Sequence, residues 1–263
     1  MRKQVSIDES SPGTLARGLD VLKLFDASAS GLSQKEIADA LELPMPSVHR
    51  LTALLTERGW LERDRLTRRL RLGLGVARLV PALMAGLRLP ELARPHLVRL
   101  AATVDETVNV AILDGSDVIY LLGESADRVL TSRVTVGMRL PAHCVSLGKC
   151  LLAQLPEEVA RNALGDEPYE RRTEHSQTTW SDLAPELATI RETGVAVSEE
   201  EYEIGLISLA VPVSWIDGPG TAAINVSMPA TRATPEFREE LVRALRECAR
   251  AIDRDMSVSG RQR

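Results

Sequence analysis

The sequence predicts an α+β protein in two parts. A small helical N-terminal domain ends in a β-hairpin, and a linker helix joins it to a larger domain built on a mostly antiparallel sheet. Three observations predict this. Apolar residues repeat at helical spacing up to about residue 57. An arginine-dense stretch with a turn in its middle follows at 60–72. Beyond residue 107 the pattern changes to short strands, turns and amphipathic helices. The expected limits are 1–73 for the N-terminal domain, 74–88 for the linker helix, 89–255 for the C-terminal domain and 256–263 for a disordered tail.

The chain has 263 residues, 44% of them hydrophobic, enough for two ordinary cores. No apolar run approaches the roughly 18–20 residues of a membrane span. MRKQVSIDESSPG at the start lacks the hydrophobic segment of a secretory signal. Cys144, Cys150 and Cys248 are too scattered for a disulfide framework or a zinc knuckle. A cytoplasmic location without cofactor or metal is expected. The net charge of −5 is uneven: residues 1–88 hold 14 Lys+Arg against 10 Asp+Glu, whereas 89–263 hold 18 against 27. A basic end on an acidic body fits an anionic partner bound at one end.

In TLARGLDVLKLFD, Leu15, Leu19, Leu22 and Phe25 are expected to form the buried stripe of a first helix. SASG at 28–31 breaks it. Ser33 then caps a second helix, with Glu36 completing a capping box. Ile37 and Leu41 mark its inner face, and Leu41-Glu42-Leu43 forms a turn. A third helix starts at Pro44–Pro46, where prolines cost no helical hydrogen bond. Val48, Leu51 and Leu55 form its apolar stripe, which leaves Met45, Ser47, His49, Arg50 and Thr52 toward solvent. Gly59 ends it. Two short helices joined by a tight turn suit insertion of the second into a DNA major groove, with Met45, Pro46, Ser47, His49 and Arg50 at the bases.

Trp60–Arg63 reads as a strand, Asp64–Thr67 as a turn and Arg68–Leu72 as the returning strand, a wing. It carries Arg63, Arg65, Arg68, Arg69 and Arg71 against one acid of the turn, Asp64. Arginine's planar fork suits phosphate contact, and Arg63, Arg65, Arg68 and Arg69 are the expected contacts. A solvated charged hairpin would have the same composition.

The linker helix is expected at about 74–87, apolar nearly all round and packed on a partner chain, with another helix at about 91–103. Strands are expected at 108–113, 117–123, 129–136, 195–201, 207–213 and 221–227. Helices are expected at about 146–154, 157–163, 182–193 and 235–254. RLPAHCVSLGKCLLA at 139–153 places a loop before an apolar helix. Free N–H groups near Ser146, Leu147 and Gly148 suit a carboxylate, Gly148 allows close approach, and Arg139 and His143 add charge or a hydrogen bond. The same spacing fits an ordinary helix start with Cys150 buried and Lys149 solvated. No catalytic set emerges, because adjacency of His143 and Cys144 does not make a nucleophile–base pair. Glu199, Glu200, Glu201 and Glu203 read as a solvated run with no histidine at ligand spacing.

Over about residues 12–255 the chain resembles the IclR family of bacterial transcription regulators. The resemblance rests on LARGLDVLKLFDA, LPMPSVHRLTALLTERGWL, RLRLG, ELARPHLVRLAA, RLPAHCVSLGKCLLA, GVAVSEEEYEIGLISLAVPV and AAINVSMP, in that order. It implies a winged helix-turn-helix, a linker helix and a GAF-like effector-binding domain, assembled as a homodimer or dimer of dimers. By motif it implies effector contacts at Ser146, Leu147, Ser198, Ser208, Asn225 and Ser227. EEYEIGL and RLPAHC look like the branch that regulates protocatechuate, p-hydroxybenzoate and β-ketoadipate catabolism. Ile207 stands where many members carry arginine, Ser198 replaces a frequent aspartate, and SWIDGPG at 214–220 replaces a charged turn.

The expected function is a DNA-binding transcription factor, not an enzyme, that controls catabolic genes in response to a small organic or aromatic acid. Its partners would be double-stranded operator DNA, that acid and further copies of itself, with no membrane. Two other readings remain open at this point. One is a small-molecule enzyme with an accessory helix-turn-helix, which would need turnover. The other is a protein-interaction module, which would shift no DNA.

Overall fold

A computed structural model describes residues 13–25, 31–80, 82, 87–125, 135–215 and 220–260. The chain forms two compact units, Met1–Gly86 and Leu87–Arg263, each with its own core.

The first unit contains α1 (Thr14–Lys23), α2 (Gln34–Ala40), α3 (Met45–Glu57), β1 (Leu61–Arg63) and β2 (Leu70–Leu72). The Ser33–Glu36 capping box forms as expected, each residue closing a backbone N–H of the other. Gly59, at φ +75, takes the left-handed conformation that ends α3. β1 and β2 pair antiparallel, Leu61 opposite Leu72, and Leu32 adds a bridge to Leu70.

Two expectations fail here. Leu15 and Leu19 are 77% and 51% exposed, while Val21 and Phe25 enter the core with Ile37, Val48, Leu51, Leu61 and Leu70. The i, i+4 pair Val21 and Phe25 meets α2 and α3, which leaves the leucines on a neighbouring face of α1. Thr52 is fully buried, not solvent-facing. Its hydroxyl donates to the Val48 carbonyl at 2.8 Å and accepts from Gln34 Nε2 at 2.7 Å, so α2 and α3 are tied by a satisfied polar contact. Of the expected 74–87 helix, the described part includes α4 (Leu74–Ala77), and positions 81 and 83–86 lie outside the described residues.

The second unit opens with α5 (Arg88–Val104), three residues earlier than the expected start because Pro90 is tolerated in the first turn. Its sheet contains β3 (Thr107–Asp114), β4 (Asp117–Glu124), β5 (Arg139–Pro141), β6 (Ala196–Glu199), β7 (Leu206–Trp215) and β8 (Gly220–Pro229). The order is β5-β4-β3-β8-β7-β6, every neighbour antiparallel. Most of the strand expected at 129–136 lies outside the described residues, and β5, read as loop, pairs with β4 through Val118 and Leu140.

Strand alternation splits the side chains between two cores. Val108, Val110, Leu209, Ile224 and Val226 pack with α5 and α9 (Pro235–Gly260). Ala111, Tyr120, Ala210 and Ala223 face α6 (Ser146–Ala153) and α8 (Trp180–Thr193), with α7 (Glu157–Leu164) beside them. Of the tail expected at 256–263, residues 256–260 are instead the last turn of α9, and 261–263 lie outside the described residues; Ile252 and Met256 are both fully buried and extend its apolar stripe.

Candidate functional site

The first candidate surface lies on α3 and the wing. Met45, Pro46, His49 and Arg50 are exposed and Ser47 is half-buried, all in the first two turns of the helix. The wing turn is set by Asp64, whose carboxylate accepts from the N–H groups of Leu66 and Thr67 at 3.0 and 2.8 Å. The Thr67 N–H, above all, holds this carboxyl below its usual range.

The wing arginines divide by partner. Arg69 binds Glu36 and the Gly31 carbonyl. Arg71 pairs with Asp64 at 3.4 Å, and Arg63 donates to the Arg68 carbonyl at 3.2 Å. Arg50, Arg65 and Arg68 are exposed and engage no carboxylate among the described residues. Of the four expected wing contacts, Arg65 and Arg68 are therefore open to an anion, Arg63 is partly engaged, and Arg69 is internal to the unit.

The second candidate is a cavity of about 150 Å³ on the α6 side of the sheet. Its wall includes Tyr120, Met138, Leu140 and Val145, polar groups from Ser198, Ser208, Asn225 and Ser227, and the turn residues Tyr202 and Glu203 with Leu206. Ser198 stands on β6, Ser208 on β7, and Asn225 and Ser227 on β8; cross-strand pairing sets Ser208 opposite both Ser198 and Ser227. Asn225 Nδ2 donates to Ser227 Oγ at 3.0 Å, and Asn225 Oδ1 accepts from Asn109 Nδ2 at 2.9 Å. The Ser198 hydroxyl donates to the Cys144 carbonyl at 3.0 Å. A cavity of this size holds about one six-membered ring.

The cavity thus gathers four of the nine expected effector contacts. The other five lie outside its wall. Arg139 is bound by Asp114 and Asp117 at 2.5 and 3.1 Å. His143 Nε2 donates to the Glu170 carbonyl at 2.8 Å, and burial pushes the imidazole's pKa down, toward the neutral form. Leu147 is in the core, and Ser146 Oγ is buried with no partner among the described residues. A Cβ on Gly148 would lie 2.1 Å from the Ala142 carbonyl, so this glycine lets α6 touch the 3-10 turn Ala142–Cys144 rather than admit a ligand. Ile207 points to the opposite core, so the cation absent at that position is absent from the other face of the sheet.

Two acidic or basic groups read as solvated are buried. Lys149 is 0% exposed, and its ammonium donates to Glu186 Oε1 and Glu201 Oε1, both at 2.5 Å. Glu201 is 7% exposed, and desolvation raises its pKa despite the ammonium. The one visible signal was a lysine inside an otherwise apolar helix. Burial also pushes the Cys144 and Cys150 thiols up to about 12, so both are protonated at neutral pH. Among the described residues no three His, Cys, Asp or Glu side chains cluster as a metal site, and no helix is long and apolar enough to cross a membrane.

Two family profiles match the chain: the IclR helix-turn-helix domain over residues 14–65 and the bacterial transcriptional regulator IclR C-terminal domain over residues 82–254. The Pca regulon regulatory protein of Pseudomonas putida is 32% identical over 244 residues, covering 92% of this chain and 82% of that protein. The p-hydroxybenzoate hydroxylase transcriptional activator of Acinetobacter baylyi is 29% identical over 85% of this chain and 83% of its own length. Among solved structures, an IclR family transcriptional regulator from Brucella abortus superposes with a TM-score of 0.81 at 28% identity, covering 97% of this chain and 96% of that one. An IclR homolog from Microbacterium hydrocarbonoxydans, complexed with 4-hydroxybenzoate, superposes with a TM-score of 0.77 at 28% identity, covering 93% of this chain and 99% of that one. The chain belongs to the IclR family of bacterial transcriptional regulators.

Proposed function

We propose that this regulator controls catabolic genes, acts in the cytoplasm, and reads double-stranded operator DNA through Met45, Pro46, Ser47, His49 and Arg50 while Arg65 and Arg68 hold the phosphate backbone. A small organic or aromatic acid entering the cavity changes operator affinity. The observation that carries this reading is the cavity itself: one ring in size, with serine and asparagine groups from three strands converging on it. The relatives named for Pca and p-hydroxybenzoate hydroxylase regulation, and the neighbour holding 4-hydroxybenzoate, support an aromatic acid.

The regulator works as a homodimer or dimer of dimers. Support comes from the apolar groove that Leu15, Leu19, Leu54, Leu72 and Leu79 line on the N-terminal unit, a hydrophobic surface left open in the single chain. A gel-shift titration on the DNA upstream of the gene, with and without 4-hydroxybenzoate, tests the whole reading. A shift is expected whose midpoint moves when the acid is saturating, because a ligand acts only through different affinities for two arrangements. Absence of any shift at moderate salt defeats the DNA assignment, and an unmoved midpoint across a series of aromatic acids defeats the effector assignment.

A further inference from the structure

Lys149 is a charged side chain placed where water does not reach, and neither DNA binding nor ligand contact uses it. Its two partners differ in position. Glu186 is on α8, away from the cavity, where its other oxygen accepts from Gln177 Nε2 at 2.6 Å. Glu201 lies in the turn between β6 and β7, and the next two residues, Tyr202 and Glu203, form part of the cavity wall. The second oxygen of Glu201 has no partner among the described residues, so the Lys149 ammonium is the main compensation for a buried carboxylate.

The same turn is strained and held from a second side. Glu200 adopts φ +58, a left-handed conformation that non-glycine residues rarely adopt. Thr173 Oγ1 donates to the Glu200 carbonyl at 2.7 Å, and Ser176 Oγ to the Glu201 carbonyl at 2.6 Å. Arg172 lies over the Tyr202 ring, 4.8 Å from its centre. A turn in this conformation persists only where its surroundings over-determine it. Thr173 and Ser176 hold the backbone of the turn at Glu200 and Glu201, and Lys149 is its charged anchor to the helix under the cavity.

We infer that Lys149 is a positioning residue for effector binding: through Glu201 it holds the turn that presents Tyr202 and Glu203 to the cavity. This rests on the cavity being the effector site. The two arms of the ion cluster then have different consequences. Neutralising Glu201 releases the cavity wall, whereas neutralising Glu186 leaves the Lys149–Glu201 contact in place.

The chain has three tyrosines, so full-length protein labelled with 3-fluorotyrosine gives three fluorine resonances, that of Tyr202 assigned by Tyr202→Phe. Glu201→Gln and the double variant Lys149→Met with Glu201→Gln, which removes both buried charges and leaves the partly exposed Glu186 on Gln177, are expected to move the Tyr202 resonance and leave that of Tyr169 in place. Both are expected to weaken 4-hydroxybenzoate binding at least tenfold by calorimetry, and Glu186→Gln less than threefold. Equal effects of Glu186→Gln and Glu201→Gln overturn the inference, since a purely structural cluster makes no such distinction. So does a lowered melting temperature with the Tyr202 resonance unmoved. Ser208→Leu, which fills the cavity, separates the two readings. Binding that survives it refutes the cavity as the effector site, while the fluorine spectra still decide the role of Lys149; if the wild type does not bind this acid, the spectra decide alone.

Discussion

Arg69 holds both carboxylate oxygens of Glu36, at 2.9 and 2.8 Å, while its Nε donates to the Gly31 carbonyl at 3.0 Å. The pair ties the wing to the start of α2, whose capping box uses the same glutamate. An arginine that composition offers to DNA is thereby committed to the fold.

Arg65 and Arg68 should therefore behave differently from Arg69. Replacing Arg65 by Gln or Arg68 by Asn should each reduce the slope of log affinity against log salt by about one, as expected for one lost phosphate contact. Asn suits position 68, where φ is +62. Arg69→Gln should leave the slope nearly unchanged and lower the melting temperature. Filter binding from low to high salt measures the first effect and calorimetry the second.

The N-terminal unit should lose stability in acid through Glu36. The Ser33 backbone N–H and then Arg69 lower its pKa from 4.5 to about 2. A depressed folded-state pKa stabilises the fold above the unfolded value, and that stabilisation is lost as pH falls from about 4.5 toward about 2. In Glu36→Gln this part of the acid transition should disappear, as read by circular dichroism of the full chain during acid titration.

Thr52→Val should destabilise the N-terminal unit by about 1–2 kcal/mol, because it removes a donor and an acceptor from a buried position without changing its volume. Urea unfolding gives the value. An unchanged midpoint would mean that the tie between α2 and α3 is worth nothing net.

Met256→Ala should cost about 2–5 kcal/mol, the range for emptying a buried methionine position. A disordered tail at this position would give no change. Thermal unfolding of the C-terminal unit within the full chain distinguishes the two.

The N-terminal elements were legible because local chemistry fixes them: a capping box, prolines at a helix start and a glycine after its end each act within one turn. The cavity serines were named through the family resemblance, not through local chemistry, and the pairing of the strands shows why they converge. Alternation along β7 and β8 puts Ser208, Asn225 and Ser227 on one face, whatever packs there. What was missed depends on partners far along the chain. Leu19 and Val21 are equally apolar, and only the docking of α2 and α3 decides which is buried. Lys149 and Glu201 each look solvated alone, and 52 positions separate them. Arg69 and Glu36, 33 positions apart, show the same limit in the DNA-binding unit.

The pairing of β3 with β8 bears on how the protein is made. Asn109 finds Asn225 across 116 positions, so the middle of the sheet cannot close until residue 225 has left the ribosome. During synthesis the helix-turn-helix can finish folding while β3 and β4 wait as a hairpin with an open edge and an uncovered apolar face. In the nascent chain, folding of the helix-turn-helix therefore precedes closure of the cavity, and aggregation risk is concentrated in the interval between them.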